Sequence, residues 1–405
     1  GKIAVLILAG GQGSRLGFDK AKGMYNINMP SNKSLFEYIS NRFLSSQKNA
    51  KKILGKNSAS TSNDKEFKPC TLMIMTSKEN HKETEEFFKE NNYFSIGEEN
   101  VKLFPQDTLP AIDIEGNVII KNKLEIFEAP NGNGGCFIAL KTHGILNYLK
   151  EKEIEYLNVV SVDNPLTKVL DPFFVGLTYF KKEAMSAKAI PKTHPKEPVG
   201  VFVRLNKKPM MIDYADLNET LATLTEPNSD KLVYNASNML HYLISVELLM
   251  KILDENYADL INDFHIAKKK IPSFNFKGKI KNDNDKDNEG EKFVNIPGVK
   301  FELFFNSLFL FAENLLLFSI DRSEEFAPIK NPDEANSDNP RIAREIMSRL
   351  FKNWLKKANV EFDDNGKSGP LEINFLDSFD GEDLSHLQKN GKIIIGEKGL
   401  FLDKI

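Results

Sequence analysis

The sequence predicts an α/β fold in which helices cover both faces of a mostly parallel sheet. Short apolar runs at 3–8, 71–76 and 156–162 contain several β-branched residues, which is typical of strands buried in a parallel sheet. Helical patterns at 79–91 and 171–182 alternate with these runs, and such alternation indicates crossover connections between parallel strands. A ligand is therefore expected outside the carboxyl ends of the strands.

Composition narrows the classes of function. The chain has 54 basic and 57 acidic residues and a net charge of -3, which argues against nucleic acid or a membrane surface as the main partner. Two cysteines, Cys70 and Cys136, are too few for a disulfide framework or a zinc site, so we expect a cytoplasmic protein. The chain does not begin with Met, and we expect that an N-terminal segment has been removed. Nothing in the sequence indicates an oligomeric state.

The first strand, 3–8, leads directly into a glycine-rich loop. The glycines are Gly10, Gly11 and Gly13. Glycine permits positive φ and a close approach of the backbone to a ligand, so the N–H groups of this loop can face phosphate or base oxygens. Arg15 and Lys22 add a guanidinium and an ammonium, which suit a polyphosphate. A purely structural turn would leave both cations without a role, so the loop predicts a nucleotide site.

Spacing argues against two common glycine loops. A dinucleotide fingerprint requires Gly-x-Gly-x-x-Gly. Here three residues instead of two separate Gly13 from Gly17, although Gly11 and Gly13 are spaced as required. A Walker loop requires a glycine five residues before its Gly-Lys-Ser tripeptide. That tripeptide occurs at 366–368, and the position of the required glycine is Glu361. The loop therefore belongs to another class of nucleotide site.

The remaining elements define a large N-terminal part and a small C-terminal one. The predictions are a helix at 35–46, a polar surface loop at 50–68, a helix at 136–149, a polar surface hairpin at 281–291, a Phe-rich segment at 299–311, a helix at 341–357, and short strands within 371–405. We accordingly predict a catalytic domain at 1–335 and a C-terminal helix with a small β domain at 336–405.

Several polar residues follow predicted strands and are candidates for ligand binding. Gln106 offers a donor and an acceptor that suit a pyrimidine edge, although a glutamine taken alone is in most cases a polar surface residue. The glycine-dense turn at 129–135 precedes a helix, and helix N-termini favour oxygen-rich ligands; a structural turn stays open as well. Asp163 ends a buried strand, where it either caps a turn or reaches a Mg²⁺ ion that bridges phosphates. With no His or Cys beside it, a hard cation is favoured.

Other candidates lie further along the chain. Asp213, Tyr214 and Asn238 come where strands end, and such side chains either form turns or bind sugar hydroxyls. Lys330 follows a turn fixed by Pro328, from which it could clamp a phosphate.

The first loop resembles the signature of the sugar-nucleotide pyrophosphorylases, Leu-x-x-Gly-Gly-x-Gly-Ser/Thr-Arg-Leu-Gly followed by a lysine before glycine. Leu8 to Gly17 and Lys22-Gly23 match it, with Ala21 where a proline usually stands. Over roughly 3–345 the chain is similar to the eukaryotic UDP-N-acetylhexosamine pyrophosphorylases. Supporting stretches lie around Gln106 and at 131–135, 162–164, 197–200, 235–238, 325–331 and 338–344.

The resemblance implies a Rossmann-like fold of the nucleotide-diphospho-sugar transferase type. It implies that UTP and N-acetylglucosamine 1-phosphate react, with Mg²⁺, to give UDP-N-acetylglucosamine and pyrophosphate. It assigns the nucleotide to Leu8, Ala9, Gly10, Gly11, Gln106, Gly132 and Asn133, catalysis to Arg15, Lys22 and Lys330, the sugar to Gly200, Asp213, Tyr214 and Asn238, and the metal to Asp163.

Two departures from the family pattern concern the sugar. Asp213 stands where the family usually has Glu, and Asn306 stands where a phenylalanine is expected near the acetyl group. One apolar contact gives about 1 to 3 kcal/mol of discrimination, so acetyl preference could weaken without loss of catalysis. Alternative substrates are glucose, galactose or N-acetylgalactosamine 1-phosphate. A nucleotide-sugar sensor without activity is a further alternative, against which the presence of Arg15, Lys22, Asp163 and Lys330 together argues.

Overall fold

The computed structural model describes residues 1–58, 67–274, 293–364 and 368–405. The strands are β1 (Ile3–Leu8), β2 (Thr71–Thr76), β3 (Val101–Pro105), β4 (Thr108–Pro110), β5 (Ile112–Asp113), β6 (Glu128–Pro130), β7 (Tyr156–Ser161), β8 (Met185–Pro191), β9 (Val201–Leu205), β10 (Lys208–Ile212), β11 (Ala236–Ser245), β12 (Phe264–Phe274), β13 (Phe293–Leu303), β14 (Leu316–Ser319), β15 (Phe362–Asp363), β16 (Leu371–Ile373), β17 (Ile393–Ile394) and β18 (Leu400–Leu402). The helices are α1 (Leu35–Ser58), α2 (His81–Glu90), α3 (Gly135–Thr142), α4 (Ile145–Glu151), α5 (Pro172–Lys181), α6 (Glu219–Ala222), α7 (Val246–Glu255), α8 (Tyr257–Asn262), α9 (Arg322–Glu325) and α10 (Pro340–Lys357).

The central sheet confirms the predicted α/β class. Its strands lie in the order β10-β9-β11-β7-β1-β2-β3, with β8 against β11 and β14 against β8. The neighbours β3, β2, β1 and β7 are all parallel, so their carboxyl ends meet at one edge. Beyond them β11 runs antiparallel to β7. The loops after β1, β2, β3 and β7, which carry the predicted nucleotide and metal residues, therefore leave the sheet on the same side.

Two apolar cores, one on each face of the sheet, follow from the alternation of side chains along a strand. Val5 and Ile7 of β1 belong to the core that includes residues of α1, α2 and α10. Leu6 and Leu8 belong to the other, which includes residues of α3, α4, α7 and the 3-10 helix at 305–311. Helices thus cover both faces, as predicted, and the sheet edge is left to the loops.

Two sequence predictions were wrong in detail. Helix α1 continues to Ser58, whereas we expected a loop from residue 50; lysine, leucine and alanine favour helix, so an exposed helix can extend without an apolar face. The helix predicted at 136–149 is two helices, α3 and α4, because Gly144 adopts a left-handed conformation with φ 68° between them. The hairpin predicted at 281–291 lies outside the described residues.

The C-terminal residues pack onto α1. Arg42 of α1 is fully buried, donates a hydrogen bond to the Phe379 carbonyl, and places its guanidinium 3.6 Å from the centre of the Phe375 ring. Helix α10 and two short parallel strand pairs, β15 with β17 and β16 with β18, make up this part of the chain. The division at residue 335 stays a prediction. No helix within the described ranges combines the length and the apolar character needed to span a bilayer.

Candidate active site

The glycine-rich loop folds back on itself and returns Lys22 to the end of β1. The Lys22 N–H donates to the Gly11 carbonyl at 3.2 Å, and the Gly13 N–H donates to the Lys20 carbonyl at 3.0 Å. At the tip, Gly17 has φ 66°, a left-handed conformation that glycine adopts without strain. These bonds fix the backbone of Lys22 beside Gly11, so the two functional parts of the loop predicted from sequence lie side by side.

Gln106 lies directly against this loop. Its N–H donates to the Thr76 carbonyl at 2.8 Å, which places it at the end of β3, and its side chain is buried. A Cβ atom on Gly10 would lie only 2.8 Å from the Gln106 Nε2 atom. The amide therefore rests on the bare backbone at position 10. This contact joins Gly10 and Gln106, two of the residues predicted to bind the nucleotide. Leu8 and Ala9, which are also predicted to bind it, directly precede Gly10 at the end of β1.

Asp163 follows β7 and faces Lys22. The Lys22 Nζ atom lies 3.7 Å from Asp163 Oδ2, and the two side chains are 16% and 18% exposed. Burial lowers the pKa of Lys22, and the positive charges of Lys330 and Arg15 lower it further, while Asp163 acts in the opposite direction. The charges of the two other predicted cations, Lys330 and Arg15, thus reach Lys22, which itself faces the Asp163 carboxylate. The Arg15 side chain itself is exposed to solvent.

Lys330 is held by a residue to which the sequence analysis gave no role. Its N–H donates to the Asp338 carbonyl at 2.6 Å, and its Nζ atom lies 3.8 Å from the Asp338 carboxylate. Burial raises the pKa of Asp338, the charge of Lys330 lowers it, and the negative charge of Asp163 raises it. Each of these two lysines, Lys22 and Lys330, therefore has a carboxylate oxygen within 4 Å.

A cleft opens beside these charges and is lined by all four residues predicted to bind the sugar. The predicted residues that line it are Asn133, Asp163, Gly200, Asp213, Tyr214, Asn238 and Lys330. Asn306, at which the sequence departs from the family pattern, lines it as well. Residues more than 190 positions apart in the chain thus meet at one surface. Asp213 Oδ1 accepts from the Ala215 N–H at 3.0 Å, and the Tyr214 side chain is 52% exposed.

Asn238 is fixed in one orientation. Its Oδ1 atom accepts hydrogen bonds from the Leu240 N–H at 2.9 Å and from the Tyr242 hydroxyl at 2.8 Å. Because a backbone N–H can only donate, Oδ1 is identified as the acceptor, and the amide nitrogen is left as the donor for a ligand. Tyr242 in turn stacks on Phe305, with ring centres 4.3 Å apart and planes 4° apart. Tyr242 and Phe305 also line the cleft.

The second glycine turn joins the nucleotide loops to this cleft. Gly132 has φ 86°, and a Cβ atom there would lie 2.4 Å from the Leu303 carbonyl oxygen. The Gly134 N–H donates to that same oxygen at 2.8 Å, while Asn133 Oδ1 accepts from the Phe305 N–H at 2.8 Å. Glycine is therefore required at 132, and the Asn133 side chain is held against the segment that carries Asn306.

The sequence analysis missed four residues that shape the site. Tyr242 was not singled out, and Phe305 was predicted only as part of the Phe-rich segment at 299–311, because no local signal separates a cleft aromatic from a core one. Asp338 and Asn164 lie within stretches that support the family resemblance, at 338–344 and 162–164, but their contacts depend on the packing of distant segments. Within the described ranges, no group of three or more His, Cys, Asp or Glu residues is arranged to hold a metal by protein ligands alone.

Comparisons with known proteins identify the family of the chain. A family model described as UTP–glucose-1-phosphate uridylyltransferase matches residues 1–368. UDP-N-acetylglucosamine diphosphorylase 2 of Arabidopsis thaliana is 35% identical over 393 residues, which cover 95% of this chain and 72% of the relative. UDP-N-acetylglucosamine pyrophosphorylase of Saccharomyces cerevisiae is 32% identical and is matched over 100% of this chain and 79% of its own length.

Among solved structures, the uridine diphosphate N-acetylglucosamine pyrophosphorylase of Trypanosoma brucei, in complex with an inhibitor, superposes with a TM-score of 0.81. It is 30% identical, and the match covers 98% of this chain and 79% of that one. The chain therefore belongs to the UTP–glucose-1-phosphate uridylyltransferase family and, within it, to the UDP-N-acetylglucosamine pyrophosphorylases.

Proposed function

We propose that the protein transfers the uridylyl group of UTP to N-acetylglucosamine 1-phosphate and releases pyrophosphate. One observation supports this most strongly: Lys22, Asp163 and Lys330 lie together at the sheet edge, between the glycine loop and the cleft lined by Asn238 and Gly200. The phosphates of a nucleoside triphosphate bound at the loop and of a sugar phosphate bound in the cleft would meet at these charges.

The reaction needs no general base. An oxygen of the sugar phosphate is already an anion; it attacks the α-phosphorus, a new P–O bond forms, and the bond to the bridging oxygen of the β-phosphate breaks, so that pyrophosphate leaves with the electron pair. Repulsion between two anions is the obstacle, and fixed positive charge reduces it. In this proposal Arg15 and Lys22 neutralise the departing pyrophosphate, and Lys330 holds the phosphate of the sugar.

Magnesium is part of the proposal. A single carboxylate together with substrate phosphates is the ligand set that Mg²⁺ commonly uses, because it retains several waters and is not enclosed by protein ligands. Asp163 fits this description, since it is partly exposed and lies where the phosphates are expected. The ion would supply additional positive charge at the phosphates. We also propose that the enzyme is cytoplasmic, on the basis of its two free cysteines, Cys70 and Cys136.

The proposal assigns the sugar to the cleft. The Asn238 amide nitrogen supplies a donor and the Asp213 carboxylate an acceptor, and Gly200 lines the same cleft. Tyr214 lies at the exposed side of this group. The nucleotide is assigned to the backbone of Leu8 to Gly11, with Gln106, Gly132 and Asn133 around it.

Product analysis tests the proposal. Purified protein is incubated with UTP, Mg²⁺ and N-acetylglucosamine 1-phosphate, and nucleotide sugar and pyrophosphate are quantified separately over time. We expect the two products in equal amounts, and none when either substrate is omitted. Binding of both substrates with no release of pyrophosphate would instead identify a nucleotide-sugar sensor.

A further inference from the structure

A buried asparagine connects the loop after β7 with the segment that carries Lys330. Asn164 is 2% exposed. Its Nδ2 atom donates to the Glu325 carbonyl at 2.6 Å, and its Oδ1 atom accepts from the Ala327 N–H at 3.0 Å. Beside it, the Ile329 N–H donates to the Asp163 carbonyl at 2.9 Å. Residues 325, 327 and 329 are thus bound to Asp163 and Asn164 in the loop after β7.

The start of this segment is fixed by a buried ion cluster. The Lys188 Nζ atom lies 2.6 Å from a carboxylate oxygen of Glu325 and 2.6 Å from one of Asp171. All three side chains are buried, and the Asp171 carboxylate also caps α5. Because Asn164 binds the carbonyl of the same Glu325, the cluster and the asparagine hold one point of the backbone from two sides. Little freedom is left between Glu325 and Lys330.

The Asn164 amide matches the two backbone groups that it joins. It donates to a carbonyl and accepts from an N–H two residues further along the same segment, and an uncharged amide can do both at once because its donor and acceptor are separate atoms, whereas a carboxylate or an ammonium can do only one. Asn164 does not itself line the cleft, whereas Phe326, Pro328 and Lys330 of the segment do. The bonds from Asn164 to residues 325 and 327 are therefore the route by which it can act on Lys330.

We infer that Asn164 is a positioning residue, which sets the distance of Lys330 from Asp163 and so from the reacting phosphates. This inference rests on the proposed function, because it takes Lys330 as the residue that holds the sugar phosphate. A displacement of about 1 Å at a reacting group can lower a rate about 100-fold, so a side chain that never touches substrate can control turnover.

Steady-state kinetics with a matched control test the inference. In Asn164→Ala, we expect kcat/KM for N-acetylglucosamine 1-phosphate to fall about 10-fold to 100-fold, while the Kd of UTP stays within about twofold. The control is Asn374→Ala, since Asn374 is also buried and hydrogen-bonded, to Lys33, Leu376 and Asp403, which do not line the cleft. It should lose stability while kcat/KM stays close to wild type. Asn164→Ser keeps an uncharged donor and acceptor on a shorter side chain and serves as a second variant should the alanine variant not fold; its kcat/KM should also fall, by less than in the alanine variant, and an unchanged value would overturn the inference.

A double-mutant cycle separates positioning from a general loss of structure. If Asn164 acts through Lys330, the Asn164→Ala substitution should cause little further loss of kcat/KM in a Lys330→Ala background. Independent, multiplicative losses would overturn the positioning role, as would an equal loss of UTP affinity. Wild-type kcat/KM in Lys330→Ala alone would refute the role of Lys330 in the proposed function, and the inference for Asn164 with it.

Discussion

Removal of the Lys22 charge is expected to slow turnover far more than it weakens UTP binding. The Lys22 Nζ atom lies 3.7 Å from Asp163 Oδ2 in a largely buried position, so its charge is screened less than that of a surface lysine. Two unit charges about 4 Å apart interact by about 4 kcal/mol at an effective dielectric constant near 20. Negative charge that develops on the leaving pyrophosphate would be stabilised by the Lys22 ammonium with an interaction energy of this order.

Part of that interaction is present before reaction, so the loss in the barrier is smaller than the full value. Removal of one preorganised donor commonly raises a barrier by about 3 kcal/mol, which is about 100-fold in rate. We therefore expect kcat of Lys22→Ala to fall about 100-fold, with a Kd for UTP that changes by less than about fivefold. Single-turnover formation of pyrophosphate at saturating substrates measures the first quantity, and calorimetric titration with UTP measures the second.

The matched control is Lys20→Ala. Lys20 lies in the same loop two residues earlier, and its side chain is exposed. It should turn over at nearly the wild-type rate, because its charge is screened by solvent. Near-normal turnover of Lys22→Ala would refute the role given to Lys22, and an equal loss in both variants would show that the fold of the loop, rather than one charge, is responsible.

Three further predictions follow from the same contacts. Because burial and the neighbouring cations lower the pKa of Lys22, its ammonium loses the proton at lower pH than an ordinary lysine; kcat/KM should fall as pH rises through that pKa, and the fall should move to higher pH in Lys22→Arg, whose guanidinium stays protonated. In Gly10→Ala, the new Cβ would lie 2.8 Å from the Gln106 amide, so KM for UTP should rise about tenfold or more in initial-rate assays, whereas the same change at the open Gly11 should have a smaller effect. Lys188→Met leaves two buried carboxylates without their cation, so the free energy of unfolding in urea should fall by about 3 to 5 kcal/mol; a loss below about 1 kcal/mol would contradict the buried cluster.

The elements that could be predicted from sequence are those whose signal is local. Strand β1 has the predicted bounds, since six consecutive apolar residues at 3–8 leave no alternative period. The glycine loop was recognisable because its spacing is itself the signal. The end of α1 could not be found, because the mostly polar stretch at 50–58 has only Ala50, Ile53 and Leu54 as apolar side chains, which are too few to establish a helical period.

In the candidate site, too, residues within local motifs could be predicted, whereas contacts between distant segments could not. Arg15, Lys22, Asp163 and Lys330 were identified from motifs, and the structure brings the last three into one region. Contacts made by Asn164 could not be predicted, because they join positions more than 160 residues apart and depend on how residues 325–330 pack beside β7.

The acceptor sugar offers the most direct test of the proposed activity. At saturating UTP and Mg²⁺, kcat/KM is measured for N-acetylglucosamine 1-phosphate and for glucose 1-phosphate on the same enzyme preparation. We predict a clear preference for the acetylated sugar, because the cleft that contains Asn306 is expected still to accept the acetyl group. Equal or reversed kcat/KM values would contradict the assigned substrate and would move the enzyme to a broader or different hexose 1-phosphate.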